Sequence, residues 1–522
     1  MGLHDLLSGR SLRPVVTAEA QPRSPTPTLK ARRLGLFTQD DAVVLMRSDC
    51  HVCRSEGLGP RSQVLLMANG REVLALLYQV SDSLLGHGEA GLSEAAWARL
   101  GIAEGAELAV RHPPPLGSLS AVRRRIYGQR LDLAALQSIV RDVAAARYTD
   151  VHLSAFLTAC SAFPLDLEET VGLTRAMIQV GERLTWPSPI VIDKHSVGGL
   201  PGNRTTPIVV AIVASHGLLM PKTSSRAITS PAGTADTMET LAPVDLNVAA
   251  MRQVVEREGA CLVWGGSVRL SPADDILIRV ERVLDIDTRG QLIASVLSKK
   301  IAAGSSHIVI DIPVGATAKV RTDEAAAELA AELTEVGRVF GVELRCVMTD
   351  GVQPVGRGIG PALEAHDLVA VLKNDAQAPQ DLRRRACMLA GAALELAGRT
   401  AAGAGFALAE TTLADGRAWA KFQAICDAQG GLRRPPKATL THPVLASRTG
   451  RVTSINNRTL AKLAKLAGAP DAKAAGVMLH ARLGDELTRG QPLMTVHAEA
   501  QGELAYALEF AAANPDIVQL EA

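Results

Sequence analysis

Two neighbouring segments restrict the fold of this chain more than any other feature. The first reads Asp193-Lys-His-Ser-Val-Gly-Gly-Leu-Pro-Gly-Asn-Arg-Thr-Thr206, the second Lys222-Thr-Ser-Ser-Arg-Ala-Ile-Thr-Ser-Pro-Ala-Gly-Thr-Ala-Asp236. Each follows a short apolar run, residues 190–192 and 218–220, and each leads into a helix-like pattern. Two strand–loop–helix turns side by side imply a parallel α/β sheet, with a ligand site at the strand C-terminal ends. The loops are rich in Gly, Ser and Thr and carry a few cations. Backbone N–H groups at a helix start favour negative charge, and small residues let phosphate oxygens approach. The expectation is an enzyme that binds phosphate.

Composition narrows the class. A chain of 522 residues predicts several domains with ample core. Its formal net charge of +1 gives no global field for nucleic acid or a membrane surface, and 3% aromatics argues against base-stacking platforms. The longest apolar run, residues 206–220, is broken by Ser215, His216 and Gly217. It reads as helix, turn and strand, not as a membrane span. Residues 1–30 carry Pro, Arg and Ser without the apolar core of a secretion signal, and read as a disordered tail. Seven scattered cysteines suggest a reducing compartment, so the expected location is cytoplasmic. Cys50-His-Val-Cys53 has metal-ligand spacing but no second pair, and reads as a strand or turn with buried thiols. No metal site is expected.

Periodicity divides the chain further. Residues 31–112 read as a strand-rich N-terminal domain, with strands near 43–46, 63–67, 72–78 and 107–110 and a helix near 92–100. A proline run at 113–115 marks a linker. Amphipathic helices at 132–145, 154–160 and 166–181 read as a small helical domain, residues 120–188, to which 284–305 contribute. Residues 189–283 and 306–435 read as the parallel-sheet α/β phosphate-binding domain, with strands at 308–312 and 343–347 and helices at 324–340 and 381–396. Residues 436–522 read as an α+β C-terminal domain.

Two more motifs follow in order: Ala294-Ser-Val-Leu-Ser-Lys-Lys300 and Asp311-Ile-Pro-Val-Gly-Ala-Thr-Ala-Lys319. Together the four resemble the thymidine/pyrimidine-nucleoside phosphorylase family, which includes the AMP phosphorylases, and the long N-terminal region resembles its long-form branch. The resemblance runs from about Leu131 to the C-terminus. It implies phosphorolysis: inorganic phosphate attacks the sugar C1′ and the base leaves. It implies no metal or organic cofactor, phosphate and a nucleoside or nucleotide as partners, and a homodimer or larger homo-oligomer.

The resemblance also assigns residues. Lys194, Ser196, Thr206, Ser224 and Thr234 match the family's phosphate ligands, with Gly199 among the glycines that let the backbone approach or merely shape the turn. Helix capping is the competing reading for the hydroxyls. His195 matches the histidine that lies against the base carbonyl. Ser295 and Lys299, four apart on one helix face, resemble the pair that binds the base edge. Lys299 would stabilise charge on the departing base, whereas adjacent Lys300 reads as solvated. Asp287 resembles the proton donor of AMP phosphorylases, and equally reads as a helix cap. Ser225, Arg226, Thr229 and Ser230 should line the substrate, and Lys319 supplies a further cation. Asp274 and Asp275 read as helix-start chemistry.

Two departures bear on substrate. Nucleoside phosphorylases of the short form place an arginine that holds the base fifteen residues before the Ser295 position; here Val280 stands there, and Arg279, one residue back, is the substrate-binding candidate. The loop also has an extra residue, Pro201, as in the AMP branch, whereas Lys194 follows the nucleoside pattern. A substrate bearing a 5′-phosphate would call on Arg204 or Lys319. The expectations are therefore thymidine phosphorolysis first and AMP phosphorolysis second. The alternative from another class is a non-catalytic assembly protein of the same fold.

Overall fold

The computed structural model describes residues 28–521 except Asp40, Asp82, Ile228, Thr229 and Asp287. Thr229 and Asp287, both singled out above, thus lie outside the described residues, as do residues 1–27 of the expected tail. The chain divides into two units, Met1–Leu116 and Gly117–Ala522.

In the first unit six strands close a barrel in the order Thr28–Leu36, Glu89–Ser93, Val43–Arg47, Arg71–Val80, Gln63–Ala68 and Glu107–Arg111. The first strand pairs back on the last, Thr28 opposite Ala109, so no edge is left open. Thr28–Leu36 begins three residues inside the segment expected to be tail. Alternation fills the interior: Val64, Leu66 and Ala68 point inward along one strand. Cys50 and Cys53 are buried as expected, but on a short helix, His51–Glu56, with His51 exposed. Among the described residues no group of three or more His, Cys, Asp or Glu is placed to hold a metal ion.

The second unit opens with four helices, Leu119–Ile126, Leu133–Ala144, Asp150–Ala162 and Leu167–Val180. Their starts are set by side chains that satisfy free backbone N–H groups: Asp132 accepts from Ala135, and Asp166 and Glu169 form a reciprocal box. Glu169 does more. Nearly inaccessible, it accepts from Arg125 at 2.9 Å and from the Leu131 N–H at 2.7 Å. Two later helices, Pro272–Leu284 and Arg289–Ala302, pack on this bundle. The bundle therefore takes more of the chain than residues 284–305. Residues 272–283, expected with the α/β domain, pack here because their apolar stripe, Ala273, Leu277 and Val280, is buried.

The sheet is parallel throughout. Glu343–Asp350, His307–Val314 and Ile192–Ser196 are neighbours, and a bridge from Val191 to Leu219 continues the layer to Met220–Ser224 and Ala260–Trp264. Helices cover it, and Thr206–Ser215 is buried along nearly its whole length. All strands point one way, so the loops after Ser196 and Ser224 emerge at the same edge. The remaining chain forms two antiparallel sheets. One holds Gly358–Ile359, Gly476–Leu479, Pro492–Ala498 and Leu440–Leu445; the other Glu486–Leu487, Gly450–Ile455 and Val518–Glu521. Helices Asn457–Leu466 and Gln501–Ala513 pack with them. Among the described residues no helix is long and apolar enough to cross a membrane.

The buried Arg125–Glu169 pair gives a test of the helical bundle. Glu169→Ala strands a buried guanidinium and should cost about 3–5 kcal/mol. Urea unfolding should shift to lower midpoint, and amide exchange should rise first in Leu119–Ile126 and Leu167–Val180.

Candidate active site at the ends of two parallel strands

The strand Ile192–Ser196 itself carries the first motif, so Lys194, His195 and Ser196 are strand residues and not loop residues as the glycine-rich wording suggests. Pairing with His307–Val314 explains this: Lys194 lies opposite Val309 and Ser196 opposite Asp311. Side chains then alternate between faces. Lys194 and Ser196 go to one side, Asp193 and His195 to the other.

On the first face Lys194 is fully enclosed. Its ammonium donates to Thr205 Oγ1 at 2.8 Å and Thr206 Oγ1 at 3.4 Å, and lies 4.0 Å from Asp311. Both threonine hydroxyls thereby keep their own protons to donate onward, at the start of the helix Thr206–Ser215. Burial pulls the Lys194 ammonium down to about 8, against the opposing pull of Asp311. Ser196 donates to Asp311 at 2.8 Å, and Asn203 and Thr349 donate to the same carboxylate at 3.0 and 2.6 Å. Gly199, at φ 80°, turns the loop so closely past Lys319 that any Cβ would strike the Lys319 backbone.

The second loop is tied to the first by Arg204. Its guanidinium donates to Thr234 Oγ1 at 3.0 Å and to the Ala232 carbonyl at 2.7 Å, and pairs with buried Glu364 at 2.5 Å. Arg204 is thus committed to structure, not held in reserve for a substrate phosphate. Ser224 closes the strand Met220–Ser224 with a buried hydroxyl that has no hydrogen-bond partner among the described residues. Arg226 lies over the Trp264 ring at 5.0 Å and grips Glu239 through two contacts, 2.7 and 2.8 Å. Ser225 exposes its side chain, and Ser230 folds onto the Ala232 carbonyl at 2.9 Å. Asp236 anchors the turn by accepting from Ala227 and Gly233 backbone N–H groups.

The other face of the first strand is a cation cluster. Asp193 pairs with Lys222 at 2.9 Å and Lys300 at 3.0 Å, all three nearly inaccessible. Lys300 is therefore a buried partner and not the solvated lysine that its place near a helix end suggests. Burial would raise the Asp193 carboxyl, but the two lysines outweigh it and hold it below the usual range. Lys300 drops to about 7, through burial only partly offset by Asp193. Burial and the lysines Lys300, Lys222, Lys194 and Lys299 keep the His195 imidazole well below its ordinary value, hence neutral.

Ser295 and Lys299 share a partner on the helical side. Asp274, buried on Pro272–Leu284, accepts from Ser295 Oγ at 2.9 Å and pairs with Lys299 at 2.5 Å; Asp275 stands 3.7 Å from the same ammonium. Asp274 is thus more than a helix-start residue. Glu281, missed by motif reading, lies on the same helix and is raised to about 7 by burial and by Asp274, against Lys319 and Lys299. Lys319 falls to about 8 through burial, with Glu281 opposing. Arg279 pairs with Asp150 at 2.8 Å, with both side chains exposed. No motif marks Asp274, Glu281 or Glu364; their partners lie far away in sequence.

Comparison with known proteins adds to this geometry. Residues 119–181 match the helical bundle domain of a glycosyl transferase family, residues 188–419 match that family's a/b domain, and residues 451–517 match a pyrimidine nucleoside phosphorylase C-terminal domain. A Chelativorans sp. (strain BNC1) protein named "Putative thymidine phosphorylase" is 66% identical over 97% of this chain and 100% of its own. A Tolumonas auensis protein of the same name is 64% identical, covering 95% of this chain and 98% of its own.

The Lys194 position predicts a pH profile. In the free protein its charge is present below pH about 8 and lost above it. A bound dianion opposes that loss. Thus kcat/KM for phosphate should fall on an alkaline limb near 8, while the limb in kcat moves to higher pH. Lys194→Arg, permanently charged, should displace the limb; Lys194→Ala should lower kcat/KM about 30–150-fold. An unaltered limb in the arginine variant would assign the titration to another group, with Lys319 next in line.

Proposed function

The chain belongs to the thymidine/pyrimidine-nucleoside phosphorylase family and is a pentosyltransferase, and we propose that it cleaves a pyrimidine nucleoside with inorganic phosphate, thymidine giving thymine and 2-deoxyribose 1-phosphate. The observation that carries this reading is the enclosed Lys194 ammonium, which donates to two threonine hydroxyls at a helix start, with the buried Ser224 hydroxyl, partnerless among the described residues, at the end of the neighbouring parallel strand. Such a set holds an oxyanion by donors fixed in advance, which is what phosphate must meet if it is to be bound yet remain a nucleophile.

In the proposed reaction a phosphate oxygen forms the new bond to C1′ as the bond from C1′ to the base nitrogen breaks. The electron pair goes to the base, which then takes up a proton. Lys194, Ser196, Thr206, Ser224 and Thr234, with the Gly199 turn, hold the phosphate. Neutral His195 offers a hydrogen bond to the base. Lys299 and Ser295 meet the base edge, and Lys299 stabilises the charge it gathers. Ser225, Arg226, Thr229, Ser230 and Lys319 line the substrate. Asp287 is the proposed proton donor.

A second reading, phosphorolysis of AMP to adenine and ribose 1,5-bisphosphate, is favoured by one observation. Val280 is buried where the short-form enzymes hold the base with arginine, and Arg279 is spent on Asp150. A phosphate-dependent assay of base release across thymidine, uridine, cytidine and AMP decides between them. Release from thymidine with none from AMP supports the first; the reverse supports the second; no phosphate-dependent release from any sinks both. Asp287→Asn, which keeps a capping oxygen but has no carboxylic proton, should lower kcat about 10²–10⁴-fold with folding unchanged if Asp287 is the donor. Normal kcat at every pH would remove Asp287 from the chemistry.

A further inference from the structure

Three side chains of residues 457–482 contact segments that carry or border the candidate site. Lys473, between the helix Asn457–Leu466 and the strand Gly476–Leu479, pairs with Glu239 at 2.9 Å and approaches Asp236 at 3.8 Å. Those are the carboxylates that hold Arg226. Asn457, fully enclosed, donates its amide to Thr317 Oγ1 at 2.9 Å and to the Gly351 carbonyl at 3.0 Å. Thr317 lies two residues before Lys319. Arg482 donates to the Pro354 carbonyl at 2.8 Å and to the Gly356 carbonyl. Between them Val355 donates its N–H to the Pro201 carbonyl at 3.2 Å, and its own carbonyl bars any side chain at Gly202.

We propose that Lys473, Asn457 and Arg482 are positioning residues for the reaction, each setting one of the three loops that meet at the site. Lys473 sets the Arg226 loop, Asn457 the Lys319 loop, and Arg482 the glycine loop after Ser196. The proposal rests on the phosphorolysis reading for its kinetic consequences, but its geometry does not.

The arrangement has a physical reason. Loops rich in glycine and small hydroxyl residues have little side-chain bulk to hold them, and oxyanion contacts need donors fixed within a fraction of an ångström. A polar contact from a separately packed layer supplies that restraint. The three contacts are made to different loops, so each should fail separately. That is the feature a merely stabilising C-terminal domain would lack.

The experiment uses the full chain with Lys473→Met, Asn457→Ala and Arg482→Met made singly. Amide exchange without substrate should rise locally: in peptides covering 225–233 for Lys473→Met, 315–320 for Asn457→Ala, and 198–204 for Arg482→Met. With substrate, Lys473→Met should raise the nucleoside KM about tenfold and leave the phosphate KM within about twofold, and Arg482→Met should do the opposite. Lys473→Arg should restore the nucleoside KM. Exchange that rises evenly over the whole unit, or nucleoside and phosphate KM values that move together in both variants, would overturn the proposal. Should Asn457→Ala fail to fold, the two partly exposed variants still decide it. If the parent protein releases no base, the phosphorolysis reading falls while the exchange pattern alone still supports or overturns the positioning roles.

Discussion

Three lysines with almost no exposure, Lys194, Lys222 and Lys300, are packed around a five-residue strand, and the rest of the site follows from how that charge is tolerated. A buried ammonium is costly unless paired and hydrogen-bonded. Asp193 serves Lys222 and Lys300 together, and Asp311 stands 4.0 Å from Lys194. Three cations against two carboxylates leave a surplus positive charge under cover. Burial first, and the neighbouring cations after it, lower both Lys194 and Lys300. An anion at the strand ends would relieve the surplus. In the proposed reaction phosphate is that anion, and Lys194 meets it from a strand whose other face carries Asp193 with Lys222 and Lys300.

The fold class was legible because its signals are local. Capping residues such as Asp132 and Asp166, apolar runs of strand length, and glycines at turns state their elements within a few residues. The barrel was only half legible: the strands of 43–47 and 63–68 show alternation, but nothing local says that Thr28 pairs with Ala109. The site divides in the same way. Lys194, Ser196, Thr206 and Ser224 stood in motifs, and the structure brings them to one sheet edge. Asp274, Glu281, Glu364 and the burial of Lys300 were not legible. Each depends on a partner over twenty residues away, and a carboxylate at a helix start looks the same whether it caps the helix or holds a lysine across a cleft.

The base side shows what such hidden partners change. Lys299 read alone is a cation free to meet a leaving base. In the structure it is held by Asp274 and Asp275, and Ser295 donates to the same carboxylate. Its charge is therefore partly neutralised and its position fixed. Burial lowers the ammonium, yet Asp274 and Asp275 outweigh it, so Lys299 stays protonated through the neutral range. In the proposed reaction a departing base competes with a carboxylate for it, which favours a base that gathers full negative charge over one merely bound in the ground state. That is the condition under which a contact lowers a barrier instead of tightening the resting complex.

Strand alternation ties these parts to the proposed chemistry. Lys194 and Ser196 lie on one face of Ile192–Ser196, Asp193 and His195 on the other. Displacement at C1′ needs the entering oxygen and the departing nitrogen on opposite sides of one carbon. In the proposed reaction, a strand end that presents anion ligands to one side and a neutral imidazole to the other suits that need. His195 stays neutral first because it is buried and then because lysines surround it, and Asp193 binds two of those lysines. In the proposed reaction, the carboxylate that looks least catalytic in the motif, enclosed and already paired, thus holds in place two of the charges that help to keep that imidazole neutral.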